Sequence, residues 1–566
     1  MCGIVGYAGK QQAAPIILHG LSKLEYRGYD SAGMSVFHDD KIVTQKVRGR
    51  LKVLNDLTQD GKTIEGSVGI GHTRWATHGI PSNENAHPHL NQKESIAVVH
   101  NGIIENYISI KKSQTEKGYQ FVSDTDTEVL AHLLDYYYEG DPLEAISKVA
   151  YRVEGSYALG ILFRDYPGEV FAVRKDSPLI AGSSEEGNFI ASDVPAILRY
   201  TRNVYYIENQ EIARMNQDSI RFYNLDQEEL HKDPTTIEWE ADAAEKGGYE
   251  HFMLKEIYEQ PKTITDTLSP RLQNDEIVIE ELKLSPKEWE AIHKVIIVAC
   301  GSAYHVGVAA KYIIEGLARV SVEVEMASEF RYRDPILEQD SMVIIISQSG
   351  ETADSLAALR ISKERGFPVL GIINVVGSTI AREATNVMYT WAGPEIAVAT
   401  TKAYSAQLIA IYLLAIKIAK SKHTIEEDTY RELIRDLRRL PEQIQQIFTL
   451  KEKIQQFANR YVGAKEVFFI GRGIDFAISL EASLKLKETS YVHSEGYAAG
   501  ELKHGPISLI EDGTLVVAIS TQPDLYAKVI SNIQEVKARG AFVMALTSEE
   551  NQAIAKSSDY VLTIPK

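Results

Sequence analysis

Two hydrophobic rhythms divide the chain. Up to about residue 225 the apolar stretches are short and broken by glycine: 34–37 reads Met-Ser-Val-Phe, 68–77 sets one Arg among small residues, and 96–99 is a buried run that ends in Asn101-Gly102. Such β-branched segments bounded by turn formers predict strands in a packed sheet. A short helix is expected before residue 26, and another after 123–128, where hydroxyls and carboxylates stand ready as caps. From 226 to 250 the pattern lapses into charge without a period, which predicts a connector. The stretch 251–261 then reads as a helix stopped by Pro261, which brings no N–H.

Beyond the connector the rhythm changes and repeats itself. An apolar run at 294–299 enters a turn at Gly301, and one at 466–471 enters a turn at Gly473, 172 residues on. Residues 342–347 followed by Gly366 recur as 515–520 followed by Gly540, 174 residues on. Nearly constant spacing predicts a duplicated domain. Continuous apolar strands alternating with helices predict parallel sheets covered on both faces, with ligands beyond the strands' carboxyl ends. The expected organisation is residues 2–225, a connector 226–250, a first repeat 251–440 and a second 441–566.

Composition narrows the function. A chain of 566 residues exceeds what one core supports. A net charge of −18 argues against a nucleic-acid surface, while leaving room for a local pocket for one small anion. No apolar run approaches the length of a membrane span and the start lacks a leader pattern, so a cytoplasmic protein without a membrane partner is expected. Two cysteines, Cys2 and Cys300, cannot build a disulfide framework, and no Cys/His cluster has zinc spacing; neither metal nor cofactor is expected.

Candidate chemistry begins at Cys2. Once Met1 is trimmed, thiol and α-amine share one residue, and an amine titrating near ~7.7–8.0 is placed to accept the thiol's proton. Arg74 suits a bidentate grip on a carboxylate. The Asn101 amide and Gly102 N–H are the donor pair of an oxyanion hole, and Asp126 offers a carboxylate to an ammonium. Singly, these read as an accident of the start, a surface ion pair, a turn and a helix cap. Jointly they describe a site that holds an α-amino acid while its side-chain acyl group is attacked, which is glutamine hydrolysis.

The repeats carry different chemistry. Ser347-Gln348-Ser349-Gly350-Glu351-Thr352, between a strand and a helix, is an anion cradle suited to phosphate, or else an ordinary capped helix start. The second copy has Ser520-Thr521-Gln522-Pro523 there, and no phosphate is expected on it. Instead Glu481, Lys485 and Glu488 fall at i, i+4 and i+7 on one helical face, either a site or a solvated salt-bridge stripe. His504 follows beside a Gly-Pro turn.

Cys2-Gly3-Ile4-Val5-Gly6, Tyr26-Arg27-Gly28-Tyr29-Asp30-Ser31-Ala32-Gly33, His72-Thr73-Arg74-Trp75-Ala76-Thr77-His78-Gly79 and His100-Asn101-Gly102-Ile103-Ile104-Glu105-Asn106 carry a resemblance that continues through the repeats. The chain resembles the glutamine–fructose-6-phosphate aminotransferases, the isomerising glucosamine-6-phosphate synthases. That resemblance implies an α+β N-terminal-nucleophile glutaminase, an αββα sandwich, followed by two α/β sugar isomerase domains with parallel sheets. It implies a glutamine-dependent aminotransferase that turns D-fructose 6-phosphate and L-glutamine into D-glucosamine 6-phosphate and L-glutamate, the first step of hexosamine synthesis.

By the same resemblance Cys2 attacks the amide, Asn101 and Gly102 stabilise the oxyanion, Arg74 and Asp126 hold the glutamine, and Trp75 gates the passage between sites. Ser302, Ser347, Gln348, Ser349 and Thr352 hold the sugar phosphate, and the backbone near Val398 and Ala399 lines the sugar. Glu488 moves a proton between sugar carbons 1 and 2, with Lys485 beside it. His504 opens the ring from a neighbouring subunit, which implies a homodimer.

There are two departures. Ala303 stands where relatives often have a hydroxyl. The family also ends in a tail whose lysine forms a Schiff base with the ketose, whereas this sequence stops at Lys566. That departure predicts full glutaminase activity with little synthesis of amino sugar. It leaves open a glutaminase with an impaired synthase half, or an amidotransferase for another phosphosugar. From another class, a sugar-phosphate-sensing regulator is disfavoured by Glu488 and His504, since a sensor needs no proton shuttle.

Overall fold

The computed structural model describes residues 2–25, 28–237 and 245–566. Met1, Tyr26 and Arg27 of the motifs, and the charged stretch 238–242 of the expected connector, lie outside the described residues. The chain divides into two compact units, residues 1–245 and 246–566.

The first unit is built on two antiparallel sheets of eight and seven strands. Strand Gly3–Gly9 lies inside the larger one, between Gly187–Ala191 and Val68–Arg74. Strand Ile96–Ile104 of the smaller sheet pairs with Gly155–Phe163. Its alternation fixes the layering: Ile96 and Val98 enter a core with Leu130, Leu134, Ile146 and Val149 of helices Glu128–Tyr137 and Pro142–Arg152, while Ala97 and Val99 meet Ile4, Ile70 and Ile190 of the larger sheet. Strand Val170–Lys175 sorts the same way, Phe171 and Val173 toward the helices and Ala172 toward the other sheet. Small residues let the sheets approach and large ones fill the space under the helices. Helix Ala13–Ser22 covers the far face so closely that a Cβ on Gly71 would sit 2.3 Å from Ile17. The αββα sandwich follows.

In the second unit two five-stranded parallel sheets share one strand order. Numbered along the chain within each copy, the strands lie 2-1-3-4-5. The first copy runs Lys294–Ala299, Ser321–Met326, Ser341–Ser347, Val369–Ile373 and Asn386–Tyr389; the second runs Glu466–Gly471, His493–Ala498, Leu515–Ser520, Phe542–Ser548 and Tyr560–Ile564. Both faces of the first sheet are covered: Val295, Ile297, Ile344 and Ile346 face one core, Ile296, Val298, Val343 and Ile345 another. That explains strands that are apolar throughout. In this order the chain reverses direction across the sheet between strands 1 and 3, and ligands collect at that point.

Three expectations need correcting. Helix Phe252–Leu268 runs through Pro261 instead of stopping there. The carbonyl of Ile257, which an N–H at 261 would have met, accepts the Gln260 side-chain amide at 3.1 Å, so the proline's main penalty is offset locally. Helix Lys402–Ser421 is, by length and composition, apolar enough to span a membrane, although no such run was expected. Its Ile409, Leu413, Leu414 and Ile418 lie in the first copy's core, and a helix enclosed on most sides is apolar on most sides. The acidic and hydroxyl residues before helix Glu128–Tyr137 do not cap it as expected: Thr127 makes no side-chain cap bond, and Glu128 instead accepts the Val122 and Ser123 N–H groups at 2.8 and 2.7 Å.

Candidate active site

In the first unit, Cys2 stands at the mouth of strand Gly3–Gly9, half-buried. Its Sγ accepts the Trp75 N–H at 3.3 Å and its carbonyl accepts Asn101 Nδ2 at 3.0 Å. Burial pushes the thiol pKa up; the Trp75 contact and the Arg74 charge pull against that, and the Asp126 charge adds to it. Arg74 is buried, its Nη2 donating to the carbonyls of His78 and Gly79, while its Nη1 has no partner among the described residues. A buried guanidinium with an unused donor beside a thiol is a ready carboxylate grip. Asp126 accepts the Ile104 N–H at 2.9 Å, so it braces the strand end that carries Asn101 and Gly102. Gly102 holds φ +130°, and a Cβ there would sit 2.0 Å from the Ser156 carbonyl. Trp75 is 42% exposed and meets Tyr29 edge-on at 5.1 Å.

Two residues here escaped the sequence reading. His72 Nε2 lies 2.9 Å from the His100 carbonyl and 3.1 Å from Asn101 Oδ1. Both are acceptors, so Nε2 carries the proton, and the Asn101 NH₂ is turned toward Cys2. Burial lowers the His72 pKa to about 3, which keeps the ring neutral. Ser192 Oγ accepts Asn101 Nδ2 and the Ile4 N–H, each at 2.8 Å. His72 is two residues from Arg74 on the same strand face, a signal that was there to be read. Ser192 follows a strand nearly two hundred residues away and left no trace in local pattern.

In the second unit, the loop after strand Ser341–Ser347 turns back on itself: Gly350 N–H donates to Ser347 Oγ at 3.0 Å, Ser347 and Thr352 hydroxyls lie 3.3 Å apart, and Glu351 N–H donates to Ser349 Oγ at 3.2 Å. Gly350 has φ +66°, and a Cβ would come within 1.9 Å of Ser378 Oγ, so glycine is required there. Helix Ala353–Glu364 starts at Thr352 without a side-chain cap.

Glu481, Lys485 and Glu488 lie on helix Ile474–Ser490 of the second copy. Their side chains are 7%, 18% and 30% exposed, so this face is not a solvated stripe. Lys485 Nζ reaches Glu488 Oε2 at 2.6 Å, Glu481 Oε1 at 3.4 Å and Ser302 Oγ of the first copy at 3.0 Å. Glu481 Oε2 in turn meets His305 Nδ1 at 2.8 Å. The start of helix Ser302–Ala318 in the first copy is thus tied to the middle and C-terminal part of the equivalent helix in the second, and Ser302 and the 347–352 loop sit at the ends of strands 1 and 3. His305 was not anticipated, because only the packing of the two helices brings it near Glu481. Ala399 is buried and Val398 is 49% exposed, on a loop that no described hydrogen bond ties to the cradle. His504 is exposed at the end of the 3₁₀ turn Ala499–His504 and bonds neither Glu488 nor the cradle.

A thiol-centred sandwich followed by paired parallel sheets joined at a Lys–Glu cluster defines a glutamine amidotransferase fused to two SIS domains. The family described as glutamine amidotransferase domain matches residues 57–233, and the SIS domain matches 290–417 and 461–566. A glutamine–fructose-6-phosphate aminotransferase (isomerizing) of Caldanaerobacter subterraneus subsp. tengcongensis is 55% identical over 566 residues, covering 100% of this chain and 93% of that protein. The same-named protein of Clostridium acetobutylicum is 53% identical over 567 residues, with the same shares. The solved C-terminal domain of glucosamine-fructose-6-phosphate aminotransferase from Francisella tularensis is 38% identical, with TM-score 0.54, covering 56% of this chain and 90% of that one. The chain belongs to the family of glutamine–fructose-6-phosphate aminotransferases.

Proposed function

We propose that this enzyme converts D-fructose 6-phosphate and L-glutamine into D-glucosamine 6-phosphate and L-glutamate, the entry to hexosamine synthesis. Cys2, freed of Met1, attacks the glutamine side-chain amide while its α-amine takes the thiol proton. Asn101 and Gly102 donate to the oxyanion; Arg74 and Asp126 hold the substrate's carboxylate and ammonium; Trp75 covers the passage that ammonia takes. The released ammonia replaces the ketose oxygen. Ser302, Ser347, Gln348, Ser349 and Thr352 hold the phosphate, with Val398 and Ala399 lining the sugar. Glu488 carries the proton between carbons 1 and 2, and Lys485 orients it. His504 opens the ring from the other subunit of a cytoplasmic homodimer, a role consistent with its exposure. The domains are 2–225, 251–440 and 441–566, with the connector 226–250 still pairing Glu229–Leu230 and Thr235–Thr236 into the first unit's sheets.

The observation that carries the reading is the Lys485 bridge, which sets the Glu488 carboxylate beside Ser302. The test is to incubate the full-length protein with both substrates and identify the products by mass. Glucosamine 6-phosphate and glutamate in equal amounts are expected, whereas glutamate with little amino sugar would favour the impaired synthase half that the sequence departure predicts; Cys2→Ala should end glutamine hydrolysis while fructose 6-phosphate still binds. A Cys2→Ala protein that still hydrolyses glutamine would overturn the role of Cys2.

A further inference from the structure

The loop that carries Val398 and Ala399 is fastened to the first helix of the second unit by a buried carboxylate. Glu256, on helix Phe252–Leu268, is 2% exposed, and its Oε1 accepts the N–H of Ile396 at 2.6 Å and of Ala397 at 3.0 Å. Glu395 Oε1 accepts the N–H groups of Thr401 and Ala403 at 2.9 and 3.1 Å. Upstream, Asn374 Nδ2 donates to the Gly393 carbonyl at 2.7 Å; downstream, Lys402 Nζ meets Glu259 at 2.6 Å. The ends of the segment therefore have several anchors. Its middle, immediately before the two sugar-lining residues, hangs on Glu256.

We infer that Glu256 is a positioning residue for the fructose 6-phosphate site: through the amides of Ile396 and Ala397 it sets where the backbone at Val398 and Ala399 stands. The inference rests on the reading of that loop as the sugar lining. Without an acceptor the buried Ile396 N–H and the half-buried Ala397 N–H would not keep this path, since a buried donor carries the cost of its lost hydration. The charge around Glu256 also constrains it. Glu256, Glu395 and Glu259 face Lys402 and Lys255, three carboxylates to two ammoniums. One proton balances the group. Burial first, and then the Glu395 charge, raise the Glu256 pKa to about 8. Burial and Glu395 thus favour the protonated form of Glu256, whose carbonyl oxygen accepts as a glutamine amide oxygen would.

The test uses the full-length protein, with fructose 6-phosphate binding by calorimetry and glutamine hydrolysis in parallel. Glu256→Ala should weaken fructose 6-phosphate binding at least tenfold, with glutamine KM within twofold of wild type. Glu256→Gln should bind within twofold of wild type at pH 7.5. Wild-type affinity should fall as pH rises through about 8 and Glu256 ionises beside Glu395, whereas Glu256→Gln should stay flat to pH 9.5. If Glu256→Ala loses its unfolding transition along with binding, Glu256→Gln decides: a flat profile supports the inference and a wild-type profile overturns it. Undiminished binding by a folded Glu256→Ala also overturns it. Val398→Trp separates this from the underlying reading: if that variant binds normally the loop does not line the sugar, and if it blocks binding while Glu256→Ala does not, only the role of Glu256 falls.

Discussion

The two copies of the sugar-isomerase fold begin alike and then part, first at one buried residue. Each has strand order 2-1-3-4-5, and each turns from strand 1 into its helix through a glycine of nearly the same conformation, φ +57° and ψ −130° at Gly301, φ +59° and ψ −131° at Gly473. Two residues further on, the first copy has Ala303 and the second Asp475. The Asp475 carboxylate is buried and accepts the Thr521 N–H at 2.8 Å and the Thr521 hydroxyl at 2.5 Å. Donors at the end of strand 3 that would meet an anion are thus occupied by the chain's own. In the first copy no carboxylate stands there, and Ser347 and Thr352 keep hydroxyls at the mouth. Of the two matching places, the first keeps its hydroxyls and the second is filled by an acidic side chain, on the helix that also carries Glu481, Lys485 and Glu488.

This division predicts that the copies fail differently. The largest effect belongs to Glu488→Gln, which removes the proposed proton carrier and should lower the rate of amino-sugar formation by about 10²–10⁴. Fructose 6-phosphate affinity and glutamine hydrolysis should stay near wild type, measured by calorimetry and glutamate release. An equal loss of affinity would mean that the second copy binds as well as reacts. Next comes Ser347→Ala combined with Thr352→Ala. Each lost bond to a charged group costs about 1.5–3 kcal/mol, so fructose 6-phosphate should bind at least tenfold more weakly. Ser520→Ala, the corresponding change in the second copy, should leave affinity unchanged, and a shared loss would erase the distinction between the copies.

Much of this was legible in the chain itself, for reasons that differ by residue. Parallel strands announce themselves because both faces are buried, so 294–299 and 515–520 are apolar throughout, and their spacing exposes the repeat. The turned-back loop at 347–352 was legible as a candidate cradle because its hydroxyls lie close together in sequence. The stripe of Glu481, Lys485 and Glu488 was legible as a helical face but not as a site, because its partners Ser302 and His305 lie more than 170 residues away. Pro261 misled because the general cost of a proline is visible in sequence, while its relief by the Gln260 side chain depends on a rotamer. Asp475 was invisible for a similar reason: it reads as an ordinary first-turn acid, and only the return of strand Leu515–Ser520 beside it reveals what it fills.

The smallest effect tests whether Asp475 closes its cradle at a cost. Burial raises its pKa, against the pull of the Thr521 bonds. A carboxyl whose folded pKa exceeds its unfolded one holds its proton more tightly when folded. Between the two values the native state therefore binds more protons, and stability falls as pH rises. Above the folded pKa the penalty is complete and the contribution flat. Asp475→Asn carries no such proton, so the stability difference between wild type and this variant should shift in favour of the variant as pH rises from about 4, at no more than about 1.4 kcal/mol per unit, and then level off. Denaturant unfolding of both proteins across pH 4–8 measures it. Because the first copy has Ala303 at this place, Ala303→Ser should add no pH dependence. A difference that runs the other way would mean that the Thr521 bonds outweigh burial, and that the second cradle is filled by an ion at ease there.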